Sequence, residues 1–484
     1  MTIFADNRHN RTKEVHFMVK ELDLTELHVN HDVKTLHQNG KSRRDKVPFA
    51  HLGVYKVSTR DANEAIKRVE AALIPELIPM RHQRMAASAF AFFRGTAEVM
   101  AGDMVHQTRS KINVVASGDA HIGNFGFYAS PERRLLFDLN DFDEAGVNSF
   151  EFDLKRLLVS IVLAGEANQF KDSKLIKLVE RASEVYQFGI NKAMSFNTLD
   201  RFYVSSEIHE LFREMQVDAE PIAFVQPIIK KAMQHNSERV VDKFTTTDAL
   251  GHVMFRDVPP KSIHVTDETY KAIETGINDY RQTTRPDVNL LLSNYHVTDI
   301  IRHSVGVGSF GTRCYLVLFT SNDNSHLVLQ VKEALPTREF ILPDKKRITL
   351  AQEIDEGQRI IDAQRILQKA SDPFLGHFNL NDHSYYVRQF RDMKESIDLT
   401  TLDWQNFKLY AQACAYLLAL SHAQSPTVPT IQGYIGNKAE FNTAMSEWTA
   451  EYVNQVKQDY QNFVEALANH QFEPVTPTTD NPDN

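Results

Sequence analysis

Two acidic loops carry the residues whose types and spacing could do chemistry. The first, Gly118-Asp119-Ala120-His121-Ile122-Gly123-Asn124, follows the apolar run Val114-Val115-Ala116. The second, Asn140-Asp141-Phe142-Asp143-Glu144, follows Leu135-Leu136-Phe137-Asp138. A short apolar run ended by a turn signal reads as a strand. Both loops are therefore expected at strand ends, with Ser130-Pro131-Glu132 as a turn between them. Crowded carboxylates resist ionisation, so a chain tolerates such a cluster where a cation or water meets it. Mg²⁺ takes one or two protein carboxylates and completes its shell with water and substrate phosphates. Asp119 is thus the candidate to position a nucleophile, and Asn124 and Asp141 to hold Mg²⁺ beneath a nucleotide. The competing expectation is a solvated pair of acidic turns.

A second chemistry-bearing stretch lies far downstream, at Gly306-Val307-Gly308-Ser309-Phe310-Gly311. A dinucleotide-binding loop of this spacing leads straight into a helix. Here Cys314-Tyr315-Leu316-Val317-Leu318-Phe319 follows, which reads as a strand. A turn at Ser321-Asn322-Asp323-Asn324 leads to a further strand, Leu327 to Lys332. Strand, glycine loop, strand, turn and a strand bearing a lysine is the order in which a hairpin covers nucleotide phosphates and the lysine reaches them. Gly306, Gly308, Ser309 and Gly311 are the covering residues on this reading, and Lys332 is the lysine. A surface hairpin with an edge lysine is the plainer alternative.

Thr349 to Lys369 has helical periodicity, with Glu353 and Glu356 on one face. Either is placed to ion-pair with Lys332, and Glu333 competes. Tyr385 to Phe390 reads as a strand against which an adenine would lie, with Arg388 among the nucleotide contacts. Arg391 to Lys394 then reads as a hinge. Arg81, Arg84 and Arg94 sit among aromatic and apolar residues. Guanidinium binds phosphate bidentately, but for each one singly a structural pair with a nearby acid is the stronger expectation.

These stretches need a frame to position them. The chain has 484 residues, 42% hydrophobic and 24% charged, with a net charge of −9. That length calls for more than one packed unit. The charge gives no reason to expect nucleic acid or an anionic membrane as partner. Two cysteines, Cys314 and Cys414, fit a reduced cytosolic compartment more simply than a disulfide. No apolar run reaches the length of a membrane span, and the polar N-terminus shows no signal core. Helices are expected at Arg60–Leu73 with Asp61 as cap, over Ala86–Met104 with a break near Phe92–Gly95, and at Glu151–Ala164, Ser173–Met194, Ser205–Met215, Pro227–Gln234, Phe407–Gln424 and Glu440–Ala468. Asn39 to Arg44 reads as a loop in a partly mobile extension.

Gly118-Asp119-Ala120-His121-Ile122-Gly123-Asn124, Asn140-Asp141-Phe142-Asp143 and Phe152-Asp153-Leu154 together resemble the catalytic and metal-binding motifs of aminoglycoside phosphotransferases and the wider protein-kinase-like superfamily. More closely, the motifs from Arg81 through Arg94-Gly95, the acidic loops, Val305–Arg313, Gln330–Ala334, Ser371–Gly376 and Tyr385–Lys394 resemble an uncharacterised bacterial family, domain of unknown function 2252. The resemblance runs from near Val47 to about Leu467. It implies Asp119 as the catalytic-loop aspartate, Asn124 and Asp141 as metal ligands, and Lys332 as the phosphate-contacting lysine. The order is inverted, with the catalytic loop ahead of the glycine loop, so the implied α+β fold is a circularly permuted, two-lobed kinase-like one. Ser117 stands where many relatives have His or Arg, and no Gly follows Asp141-Phe142. The expected division is an extension at 1–45, a helical lobe at 46–295, a β-rich nucleotide lobe at 296–395, C-terminal helices at 396–470 and a disordered tail at 471–484. The expected activity is ATP- and Mg²⁺-dependent phosphoryl transfer to a hydroxyl of a small molecule. A nucleotide-binding pseudokinase or sensor, a nucleotidyltransferase and a metal-dependent phosphohydrolase are the alternatives.

Overall fold

A computed structural model of the chain describes residues 22, 24–203, 226–227, 229–230, 237–304, 306–308, 310–337, 355–390 and 395–472. The expected helix Ser205–Met215, most of Pro227–Gln234, the hinge residues Arg391–Lys394, the tail from 473, Ser309 and Glu353 lie outside them. The fold is mixed α+β with antiparallel sheets.

The helical part begins with α1 (Val33–Lys46), capped by the Asp32 side chain, which accepts from Thr35 N at 2.7 Å. Asn39–Arg44 is therefore helix and not loop. What the sequence hid is a helix crossing. A side chain at Gly40 would come within 2.1 Å of Thr430 O, and Arg44 Nε donates to Tyr434 O at 2.6 Å. Next come α2 (Ala62–Glu70), α3 (Ile78–Met85), α4 (Ala89–Gly95) and α5 (Ala97–His106); Phe92–Gly95, expected to break the helix, are helical, and the break falls one residue later, at Thr96. Four short strands follow: β1 (Asn113–Ala116), β2 (Phe125–Ala129), β3 (Leu135–Leu139) and β4 (Gly146–Ser149). β2 and β3 form a hairpin, whereas β1 pairs with β4. The two acidic loops thus leave strands of separate small sheets. α6 (Glu151–Ala167) is buried from Glu151 to Gly165 and packs against α7 (Asp172–Met194).

Beyond these lie α8 (Ser237–Phe244), β5 (Thr245–Thr247), β6 (Val253–Phe255), β7 (Ser262–His264), α9 (Asp267–Thr283) and α10 (Pro286–Leu292). β8 (Tyr295–His303), β9 (Cys314–Ser321) and β10 (His326–Ala334) are the strands expected around the glycine loop. α11 (Glu356–Leu367), capped by Asp355, precedes β11 (Gly376–Leu380) and β12 (His383–Gln389). The sheet runs β11-β12-β10-β9-β8-β7. Side chains alternate across it. One face, with Val317, Leu329, Val331 and Val387, packs on Ile273, Ile277 and Tyr280 of α9. The other, with Ile301, Leu316, Leu318 and Val328, packs on Val240, Val241 and Phe255. Residues 237–292, placed by the sequence reading with the helical lobe, therefore pack on this sheet. β13 (Glu395–Ser396) pairs with β2, and α12 (Trp404–His422), α13 (Val428–Ile435) and α14 (Ala439–Ala468) complete the helical core. Among the described residues no helix is long and apolar enough to cross a membrane. Both cysteines are buried and unbridged.

α6 carries a titratable group at its centre. Lys155 is fully buried, its Nζ 4.0 Å from the centre of the Trp448 ring and 3.4 Å from Leu52 O. Burial pushes its pKa down to about 7, although the Glu151 charge favours the cation. The unfolded chain then holds this proton up to the ordinary lysine range while the folded chain releases it near 7. Stability contributed by this site should rise with pH from about 7 upward and be lost as pH falls, by on the order of a few kcal/mol. Lys155→Met should flatten the rise in urea-unfolding free energy between pH 7 and pH 10; an unchanged slope would show that Lys155 is not its source.

Candidate active site

The two distant segments meet. Lys332 Nζ on β10 ion-pairs with the Asp143 carboxylate, across 189 residues of sequence, and lies 3.8 Å from Asp141 Oδ1. The lysine is 3% exposed. Burial alone would lower its pKa, but the Asp141 and Asp143 charges outweigh that and hold it well above the lysine range. Tyr386 of β12 donates its hydroxyl to Asp143 Oδ1 at 2.8 Å. Lys332 thus pairs with aspartates and not with a glutamate of α11. Glu356 pairs with Arg359, and Glu333 with Arg313 at 3.0 Å and His383 at 2.8 Å. Glu356, one of the glutamates the sequence offered as a partner of Lys332, therefore does not join the site through the lysine. Arg359 instead clamps the second acidic loop, donating to Asp143 O at 2.9 Å and to Leu335 O at 3.0 Å.

The first loop is held through its backbone. Asp153, buried near the start of α6, accepts from Ser117 N at 2.7 Å and Gly118 N at 2.9 Å. A carboxylate near a helix start ordinarily favours that helix's free N–H groups; Asp153 serves the loop instead. His422 Nε2 lies 3.2 Å from Asp153 Oδ2, and Tyr186 Oη 2.8 Å from His422 Nδ1. At Gly118 the backbone has φ 75°, and a Cβ would come within 1.9 Å of Glu144 O. Only glycine permits this contact between the two acidic loops. Further along, Ser160 Oγ accepts from Ile122 N at 2.7 Å, and Tyr410 donates to Ile122 O and Phe125 O, each at 3.0 Å.

Held this way, Asp119 Oδ1 accepts from Arg156 Nε at 2.7 Å, and the carboxylate stays 20% exposed. Burial pushes its pKa up to about 6, with Arg156 opposing and Asp141 adding to the rise. Asn124 donates its amide to Asp119 O and Asp141 O, both at 3.0 Å, so one side chain ties the two loops together. Its carboxamide oxygen is then the atom of metal-ligand type. Asp141 keeps 46% of its side chain exposed. One carboxylate and one amide oxygen fit a hard cation whose shell is finished by water and phosphate. Among the described residues no larger His/Cys/Asp/Glu cluster is arranged for a metal.

The glycine loop is pinned across this site. Arg81 donates to Val307 O at 3.0 Å and Gly308 O at 2.7 Å, and Arg84 donates to Gly306 O at 2.5 Å. Two of the three aromatic-rich arginines therefore hold the loop's carbonyls; Arg81 also lies 3.6 Å from the buried Glu70 carboxylate, the structural pair with a nearby acid that the sequence led one to expect. Gly311 O accepts from Ile74 N at 2.8 Å, so it faces the α2–α3 connection. Gly306, Gly308, Asp119, Asp141, Asp143 and Arg94 line one cavity of about 70 Å³. On β12, Tyr385 to Val387 are buried. The accessible end is at Arg388 and Gln389, which line a cavity of about 250 Å³ with Asn140 and Gln364. Arg388 Nε donates to Gln330 Oε1 at 2.8 Å. Arg156 and Tyr386 carry no local signal, and Asp143 is marked only as a member of the acidic loop and not as the partner of Lys332, because each acts through a tertiary contact.

A family model described as an uncharacterized protein conserved in bacteria (DUF2252) matches residues 73–466. No curated protein and no solved structure matches the chain.

Removing the Asp153 acceptor orphans the buried Ser117 N–H and the partly buried Gly118 N–H, at about 1–3 kcal/mol each. Asp153→Ala should therefore lower the urea-unfolding free energy by several kcal/mol. A loss below about 1 kcal/mol would mean the loop keeps its shape without this anchor.

Proposed function

The chain belongs to this bacterial family, and from that premise we propose that it is an ATP- and Mg²⁺-dependent phosphotransferase acting on a hydroxyl of a small molecule. The observation that carries the reading is the single cavity that Asp119, Asp141, Asp143 and the Gly306–Gly308 loop share, with Lys332 ion-paired at the Asp141–Asp143 loop. The strand order supports the kinase-like, permuted architecture. The glycine loop joins adjacent β8 and β9, the lysine lies on β10, and a helix intervenes before β11. Viewed this way, the sheet and the acidic loops form the two walls of a cleft.

Phosphoryl transfer asks the protein mainly for position and charge neutralisation. Bound Mg²⁺, held by Asn124 and Asp141, would supply neutralisation of the phosphate oxygens. Lys332 contributes a permanent positive charge beside them. Asp119 takes the proton of the acceptor hydroxyl as the acceptor oxygen bonds to the terminal phosphorus and the bond to the bridging oxygen breaks, leaving ADP. Arg156 fixes the orientation of that carboxylate. A nucleobase would have room beside Arg388 and Gln389, which line the larger cavity. A second reading, nucleotide binding without turnover, has one observation on its side. Arg156 engages the proposed proton acceptor directly, and a cation at 2.7 Å weakens a base.

Purified protein with Mg²⁺ and ATP labelled at the α or γ phosphate separates these. Label leaving from the γ position, to water or an added acceptor, is the expected result. Asp119→Asn should reduce that rate by about 10²–10⁴-fold while the circular dichroism spectrum stays native. Release from the α position would make the chain a nucleotidyltransferase, and binding with no release a sensor. An Asp119→Asn rate equal to wild type would remove Asp119 from the proton-accepting role.

A further inference from the structure

Of the three arginines set among aromatic residues, Arg81 and Arg84 hold the glycine loop and Arg94 does not. Its Nε is buried and has no hydrogen-bond partner among the described residues. The nearest aromatic ring, Phe90, has its centre 5.8 Å from the guanidinium carbon. Asp119 and Asp141 attract it electrostatically, whereas Arg156 repels it, and burial lowers its pKa. A buried guanidinium with five donors and so few bonds is costly unless a ligand completes it.

Its position says which ligand. Arg94 lines the cavity of about 70 Å³ between Asp119 and the glycine loop. The loop lies directly on it, since a Cβ at Gly308 would come 3.1 Å from Arg94 O. At about 30 Å³ per water, that volume suits a small tetrahedral anion. Lys332 is ion-paired with Asp143, whereas Arg94 lines the cavity together with Asp119, the proton acceptor. The group that must sit next to Asp119 during transfer is the one being transferred.

We infer that Arg94 is a ligand of the terminal phosphate of the nucleotide, closing on the group in transfer from the side opposite Lys332. This rests on the phosphotransferase reading. Arginine's planar fork suits the equatorial oxygens of a phosphoryl group. It also gives the site a means to tell a triphosphate from a diphosphate, because ADP offers Arg94 nothing to bind.

Calorimetric titration with Mg²⁺ and either adenylyl imidodiphosphate or ADP tests this on wild type, Arg94→Gln, Arg94→Lys and Lys332→Met. Arg94→Gln should weaken the triphosphate analogue about tenfold or more and leave ADP within about twofold. Arg94→Lys keeps the charge without the fork, and should show a smaller loss of the same selectivity; it carries the comparison if Arg94→Gln does not fold. Lys332→Met should weaken both nucleotides. If the Arg94 variants change neither nucleotide, or both equally, while Lys332→Met weakens both, the role of Arg94 is overturned and the phosphotransferase reading stands. If wild type binds neither nucleotide, both fall together.

Discussion

A buried lysine between two aspartates is the constraint on which the arrangement depends. Lys332 cannot leave water without compensation. Asp143 and Asp141 supply it, and Tyr386 orients Asp143 from the neighbouring strand. The contact closes the six-stranded sheet onto the second acidic loop, beside the apolar contact of Ala334 and Tyr386 with the core that holds Phe142 and Ala145. Arg359 reinforces the closure from α11, bonding to Asp143 O and Leu335 O together. The loop is thus gripped by its side chain from two adjacent strands and by its backbone from a helix.

The other half of the site is shaped from beneath. Asp153 holds the backbone at Ser117 and Gly118, and it is itself backed by His422 and Tyr186 on two further helices. Asn124 then carries that rigidity across to Asp141. The position of Asp119 is therefore set by α6, α7 and α12 at once. From above, Arg81 and Arg84 fix the glycine loop through its carbonyls.

Much of this was legible in local pattern. The apolar runs at Val114 and Leu135, the turn at Ser130, the strands around the glycine loop and the amphipathic helices carry their signals within a few residues. The helix at Val33–Lys46 did not, because its contact is made by glycines that look like breakers until Gly433 and Thr430 come up against them. Residues 237–292 were assigned to the wrong neighbour for a similar reason, since an apolar face does not say which sheet it will cover. In the site, Asp119, Asn124, Asp141 and Lys332 stood out by motif. The partner of Lys332 did not. A glutamate at helical spacing is the local choice, and Asp143 prevails because the acidic loop arrives from a distant part of the chain. The tasks of Arg81 and Arg84 were hidden because backbone carbonyls, their actual partners, leave no mark in a sequence.

The central claim is that Lys332 and Asp143 are energetically coupled across the sheet and the acidic loop. A double-mutant cycle of Lys332→Met and Asp143→Asn, followed by urea unfolding, measures this directly. Each single change should strand a buried partner, while the double change should cost much less than the two together. The coupling should then lie within about 0.5–3 kcal/mol. Additivity within about 0.3 kcal/mol would contradict the account, because the two segments would then not depend on one another.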